Sequence, residues 1–253
     1  MSMPNPSSEL QLHIIYEDEW IIVVDTPAGL LTMSTGKEGE VTAYSILRQY
    51  VQDQQRGRGR QRFVHREERN HDRRDRRIHN DWQRLFIVHR LDRDTSGVLI
   101  FAKDQQTKDI LQDNWNEIVL TRRYIALVEG HPAQAEGTIQ TYLFQDPISL
   151  MVRSSVKDNG GKIAITHYRT LKSNAEYSLL ECELETGRKN QIRVHCQDLG
   201  CPIAGDRKYG AKSNPLARLG LHAECVCLIH PYKNEEFEFH SKLPRIFKRI
   251  KFD

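Results

Sequence analysis

His89, Arg90, Asp92, Arg93 and Asp94 crowd into the stretch HRLDRDTSG, directly before the apolar run Val98 to Ala102. Charged groups beside a buried strand are costly to desolvate, so a sequence that gathers them there holds them in a cleft where they are paired or used. Asp92 is the residue best suited to chemistry. It sits in a turn where Thr95 and Ser96 can hydrogen-bond locally and Gly97 lets the chain swing into the strand. An ionised carboxylate in such a place can act as a nucleophile or as a general base. It then needs a cationic partner, and Arg193 is the candidate. Pairing is expected to depress the Asp92 pKa and keep the group charged at neutral pH. The plainer alternative is that Asp92 caps its turn or balances Arg90, and position alone does not choose between them.

Two other groupings suggest metal chemistry and fall short of it. His222, Ala223 and Glu224 spell the H-x-E half of a zinc nucleobase deaminase signature, but no P-C-x-x-C follows, and Cys225 and Cys227 are too close together to replace it. The two cysteines read as alternate residues on one face of a strand. His195, Cys196 and Cys201 are explained by a helix and its cap. No metal site and no cofactor is expected.

The elements that would position these residues can be read from periodicity. Leu12 to Tyr16 and Trp20 to Val24 flank an acidic turn and signal a hairpin. Thr42 to Tyr50 has helical spacing, and Gln105 to Val119 places Ile110, Leu111, Trp115 and Ile118 on one helical face before a strand at Arg123 to Glu129. Ile163 to Leu171 and Tyr177 to Leu184 read as strands separated by a loop. Asn190 is expected to cap a helix with the apolar face Ile192, Cys196 and Leu199, ended by a left-handed Gly200 with Pro202 beyond. Arg193 then projects beside the core stripe, at an edge where it can reach a partner. Strands at His222 to Ile229 and Glu236 to Phe239 and a basic helix from Pro244 to Lys251 close the chain.

Charge is unevenly distributed over the 253 residues. Between Arg56 and Arg77 ten arginines face four acids, a local +6, so a net charge of +3 leaves −3 for everything else. This Arg-rich insertion, at about 54–82, is either a solvated loop or a polyanion contact. Residues 1–9, rich in Ser, Pro and Asn, read as a flexible tail, too short for a folded module. The sequence shows neither a secretory signal nor an apolar window of membrane-spanning length, and its five cysteines are odd in number. A monomer with reduced thiols in the cytoplasm is expected.

The segments HRLDRDTSG at 89–97, RRYIALVEG at 122–130, GRKNQIRVHCQDLGCPIAGDRKYG at 187–210 and LHAECVCLIHP at 221–231 occur in the order and spacing of the RluA-type pseudouridine synthases. The early YEDEWIIVVDTPAG is similar to that family's opening motif, so the resemblance spans residues 12–240 apart from the insertion.

The resemblance implies an isomerase that detaches an RNA uridine at ring nitrogen 1, rotates the base and rejoins it through carbon 5, without cofactor or metal. Asp92 matches the essential aspartate and Arg193 the basic residue that pairs with it. Tyr124 matches the tyrosine that stacks on the target base and assists proton removal from carbon 5. Arg90 matches a residue that fills the space left by the everted uridine, and further RNA contacts are expected from His89, Arg188, Lys189, Asn190 and Gln191. The fold implied is α+β, a mixed, mainly antiparallel β-sheet with flanking helices and a central cleft, over residues 10–253. Asp25 and Thr26 stand where relatives often have Asn-Lys, and Lys189 and Asn190 where they have Thr-His; these departures bear on RNA contacts, not on Asp92. Ribosomal RNA is expected as substrate ahead of transfer RNA. The rival is a noncatalytic RNA-binding or ribosome-assembly protein on the same fold, which the joint presence of Asp92, Tyr124 and Arg193 disfavours.

Overall fold

The computed structural model describes residues 12–63 and 85–252, with side chains from 55 to 63 left aside. The tail at 1–9 and most of the Arg-rich insertion therefore lie outside the described residues.

The described strands form one eleven-stranded sheet. Strand β1 (His13–Glu17) pairs with β2 (Ile21–Thr26), and β2 with β4 (Ser96–Ala102), which also carries the short β3 (Phe86–Ile87). Then follow β10 (Leu221–Ile229), β5 (Val119–Glu129), β9 (Tyr177–Leu184), β8 (Lys162–Ser173), β6 (Glu136–Gln145) and β7 (Val152–Ser155), with β11 (Glu236–His240) on β10. All of these strand pairs are antiparallel except β4 with β10, which run parallel for only two pairs, His222 with Ser96 and Ala223 with Gly97. That short joint divides the sheet into two halves, and the Asp92 turn feeds directly into it.

The joint explains Gly97. Its φ is +119°, and a Cβ there would stand 2.0 Å from the Ala223 carbonyl oxygen, so only glycine lets the two strands meet. Polar side chains fasten the same place. Ser96 Oγ lies 2.8 Å from His222 Nδ1, and Arg218 donates to Ser96 Oγ at 2.9 Å and to the Leu221 carbonyl at 2.9 Å.

Both faces of β4 are covered, so the strand is buried throughout and reads as a continuous apolar run instead of an alternating one. One side packs on helix α1 (Ala43–Phe63) through Leu47, Val51, Leu99 and Phe101. In the other half, Ile192 and Cys196 of helix α4 (Gln191–Asp198) pack on Ala126, Leu180 and Leu221. Each such fully buried aliphatic side chain contributes about 1.5–3 kcal/mol.

Several expectations need adjustment. Helix α1 runs on to Phe63, so the insertion begins as helix; its Gln and Arg are good helix formers. The helix expected over 105–119 is two, α2 (Gln105–Asp113) and α3 (Trp115–Ile118), divided at Asn114, whose side chain donates to the Ile110 carbonyl. Strands β6 and β7 went unread. The C-terminal basic helix is a 3-10 turn, Arg245–Arg249, anchored by buried Phe247. No helix among the described residues is long and apolar enough to cross a membrane.

Candidate active site

The Asp92 turn is held from two directions. Thr95 N donates to the Asp92 carbonyl at 2.9 Å, Gly29 N to the Arg93 carbonyl at 2.8 Å, and Leu91 N to Thr32 Oγ1 at 3.3 Å. The Asp92 side chain keeps 24% of its surface exposed, and its Oδ2 lies 3.6 Å from Arg193 Nη1. The expected pair is therefore present, but Asp92 is not the main partner of Arg193. Arg193 donates from Nε to Asp206 Oδ2 at 2.7 Å and from Nη2 to Asp206 Oδ1 at 2.8 Å, a two-pronged bridge to a carboxylate that is 1% exposed. Its Nη1 also reaches Asn190 Oδ1 at 3.2 Å, and the guanidinium lies over the Tyr209 ring at 4.9 Å.

This arrangement reverses one expectation. Burial raises the Asp92 pKa, and the Arg193 and Arg90 charges only partly offset it, so the group stands above its ordinary value instead of below. Burial is the largest influence, and the Asp206 carboxylate, which takes two of the guanidinium nitrogens, raises the Asp92 pKa as well. For Arg193 itself, burial opposes the charge, but Asp206 and then Asp92 outweigh it and the pKa is raised.

Tyr124 lies on β5 between Ala223 on one side and Cys182 on the other, and packs against the cores of both halves of the sheet. Burial pushes its phenol up to about 12, with Arg122 lowering it and Asp92 raising it. It is a neutral phenol at any ordinary pH.

The expected RNA contacts divide. Arg90, Arg188 and Lys189 are exposed. His89 is half-buried: its Nε2 accepts from Ile100 N at 3.0 Å, its ring packs on Trp115, and burial pulls its pKa down to about 3. It braces β4 through that nitrogen. Asn190 and Gln191 are buried, contrary to the expectation of RNA contact. Gln191 donates to the Ile165 carbonyl and Thr166 Oγ1, each at 2.9 Å, and accepts from Thr186 Oγ1 and Arg188 N, so its hydrogen-bonding capacity is spent. Asn190 does not cap α4 with its side chain. Its φ is +55°, and its Nδ2 donates to the Tyr209 hydroxyl at 2.9 Å. Gly200 does take the left-handed conformation expected of it.

Asp206, Tyr209 and Arg122 were not singled out from sequence. The first two belong to GDRKYG, and their signal was that motif; Arg122 is two residues from Tyr124, on the same face of β5. Beside the ion pair opens a cleft of about 460 Å³, lined by Arg193 and Asp206 together with Asp94, Arg207, Lys208 and Asn214. That volume falls in the range of sites that enclose a small ligand.

The metal readings dissolve in the structure. His222 is buried between Ser96 Oγ and the Ser241 carbonyl, and Glu224 is paired with Arg123 at 2.8 Å. His195 is a core residue between Thr141 and Thr166, kept neutral by burial that lowers its pKa to about 4. Cys225, Glu238 and His240 are the one group among the described residues whose atoms could surround an ion. It lies on the strand face of Arg123, opposite that of Tyr124, and its carboxylate already takes the Cys225 thiol at 3.3 Å and Arg123 at 3.5 Å.

Comparison with known proteins agrees with the geometry. The family model for RNA pseudouridylate synthase matches residues 20–198. Ribosomal large subunit pseudouridine synthase D of Zymomonas mobilis is 30% identical over 250 residues, covering 95% of this chain and 72% of the relative. Ribosomal large subunit pseudouridine synthase C of Rickettsia bellii is 33% identical over 94% of this chain and 70% of the relative. Among solved structures, human RNA pseudouridylate synthase domain containing 4 has the same fold, with a TM-score of 0.68 at 22% identity over 94% of this chain and 90% of that one. A mixed, mainly antiparallel sheet divided at a cleft, a family match over most of the chain and these relatives lead to one conclusion: the protein belongs to the RNA pseudouridine synthase family of isomerases.

Proposed function

We propose that this enzyme isomerises a uridine in large-subunit ribosomal RNA, with Asp92 as the catalytic carboxylate, Arg193 as its positioning partner and Tyr124 as the platform for the everted base. The observation that carries the reading is the Asp92–Arg193 contact at 3.6 Å, beside an open cleft. The ribosomal substrate is supported by the relatives named for the large subunit.

The reaction breaks the bond from the sugar to ring nitrogen 1 and forms one to carbon 5. Nitrogen 1 ends with the proton that carbon 5 loses, so atoms balance without a co-reactant. An ionised Asp92 serves it by attacking the sugar or base, or by removing a sugar proton to give a glycal. Arg193, fixed by Asp206, holds its charge in place beside the carboxylate through the reaction without having to reorganise. Tyr124 contributes its ring: stacking is worth about 1–3 kcal/mol per base and offsets the cost of eversion, a few kcal/mol. With its pKa near 12 the phenol does not supply a phenolate base. The five cysteines are all free thiols, which supports a reducing, cytoplasmic setting, and we take the enzyme to act as a monomer.

Mapping pseudouridine across all cellular RNA with and without the gene tests the reading. One or more large-subunit ribosomal positions are expected to revert to uridine. Loss confined to transfer RNA would refute the substrate assignment, and no loss anywhere would refute the activity.

A further inference from the structure

Arg122 is a buried cation without an anionic partner among the described residues. Its residue is 8% exposed, and the hydrogen bond its guanidinium makes is to the main-chain carbonyl of Glu185, through Nη2. No carboxylate pairs with it among the described residues; the Glu185 side chain is turned to His167 at 2.6 Å. A guanidinium presents five N–H donors, and a buried charge without a counter-charge costs several kcal/mol. Burial lowers its pKa, Tyr124 raises it in part, and the Arg188 charge lowers it again.

The segment over Arg122 is built open and basic. Gly187 has an ordinary backbone angle, so no turn requires glycine there. A Cβ at that position would meet one atom, Arg122 Nη1, at 2.9 Å. The missing side chain thus leaves space directly over the guanidinium. Arg188 follows, its Nε held by the Ile163 carbonyl at 2.9 Å, and then exposed Lys189; neither pairs with a carboxylate among the described residues. Arg188 brought to the buried Arg122, with no acid pairing either among the described residues, suits a compact anion with several acceptor oxygens.

The geometry points to a phosphate seat formed by Arg122 and Arg188 across Gly187, which grips one backbone phosphate of the RNA strand whose base is placed against Tyr124. The seat itself follows from the unpaired cations; its assignment to the RNA strand rests on the proposed pseudouridine synthase activity. Arg122 and Tyr124 share a strand face two residues apart, about 7 Å along the strand, close to the spacing between successive phosphates of an extended strand.

The test uses the full chain and a fluorescein-labelled ten-residue oligouridylate, titrated by anisotropy between about 50 and 200 mM salt. Arg122→Met keeps the apolar stem and removes the charge. It is expected to weaken binding about tenfold at low salt and to reduce the slope of log K against log salt by about 0.7, the release of one contact from a single strand. Arg122→Lys should restore most of the slope. A second arm replaces single linkages of the oligonucleotide by neutral methylphosphonates. At one position the wild type should lose affinity and Arg122→Met should not. An unchanged slope in Arg122→Met, with only a lowered melting temperature, would make Arg122 a structural brace for the Glu185 carbonyl and overturn the seat, as would failure of the wild type to bind the probe. Pseudouridine formation by the wild type on ribosomal RNA is scored separately. Binding with an Arg122-dependent slope but no isomerisation keeps the seat and refutes the activity, whereas isomerisation with an unchanged slope does the opposite.

Discussion

Two arginines, Arg193 half-buried on helix α4 and Arg122 buried on β5, are treated in opposite ways. Arg193 has Asp206 on two of its nitrogens, Asn190 on a third, and Asp92 at 3.6 Å. Arg122 has a main-chain carbonyl and, among the described residues, no acid. The first region is complete in itself, so its charge serves a group of the protein, the carboxylate of Asp92. The second is incomplete, so its charge is kept for something that arrives. In the roles proposed, the state of compensation separates the arginine that tunes the chemistry from the one that receives the ligand.

The largest effect expected is at the carboxylate that Arg193 serves. Asp92→Asn should lower the rate of pseudouridine formation about 10⁴-fold or more while leaving RNA affinity intact, measured by single-turnover conversion and anisotropy on the same RNA. The same variant should melt no lower than the wild type. The sign follows from its pKa: a carboxylate raised by burial is held ionised at a cost to folding, a cost that grows as pH rises through its folded pKa. A fall in both affinity and melting temperature would mean that Asp92 caps its turn and does no chemistry.

Next comes the compensated arginine. Arg193→Met strips Asp206 of its partner and should cost about 3–5 kcal/mol in chemical denaturation, because a nearly inaccessible carboxylate is left uncompensated. Arg193→Met with Asp206→Leu should recover most of that stability and leave only a small residual rate. If the double variant regains activity, Arg193 is only a structural partner of Asp206.

A smaller effect concerns pH. The rate should fall on acidification through the raised pKa of Asp92, and the stable double variant should show its residual rate falling at higher pH than the wild type, since the guanidinium that favours the ionised form is gone. A pH–rate profile whose acid limb does not move would detach Arg193 from the chemistry. The smallest change is expected for Tyr124→Phe. It keeps the stacking face and loses a neutral hydroxyl, so its rate should stay within about tenfold of the wild type, the worth of one neutral hydrogen bond. A loss of 10³-fold in single-turnover rate would show that the oxygen itself handles the proton from carbon 5.

Much of this was legible in the chain. Most of the strands came from apolar runs, and the hairpin at residues 13–26 and the Gly200 stop were readable because turn chemistry is local. The motifs around Asp92, Tyr124 and Arg193 named the central residues. What was misread follows a pattern. Asn190 looks like a helix cap and Gln191 like an exposed polar residue, yet both are buried, because the neighbours that absorb them, Tyr209 and Thr166, come from other elements. Helix α1 runs past its apolar stripe, where Gln and Arg, good helix formers, continue it.

By itself the sequence determined the inventory: a reactive turn ahead of a buried strand, a glycine that lets the chain swing into that strand, a basic helix edge, and the family to which they belong. Only the tertiary structure decided how charge is apportioned. Asp206 claims most of Arg193, Asp92 is left raised instead of depressed, and Arg122 has no anion among the described residues. The physical reason is that pairing and desolvation act through space over a few ångströms, between residues separated along the chain by as many as a hundred positions, and no local pattern encodes which of several acids a guanidinium will face.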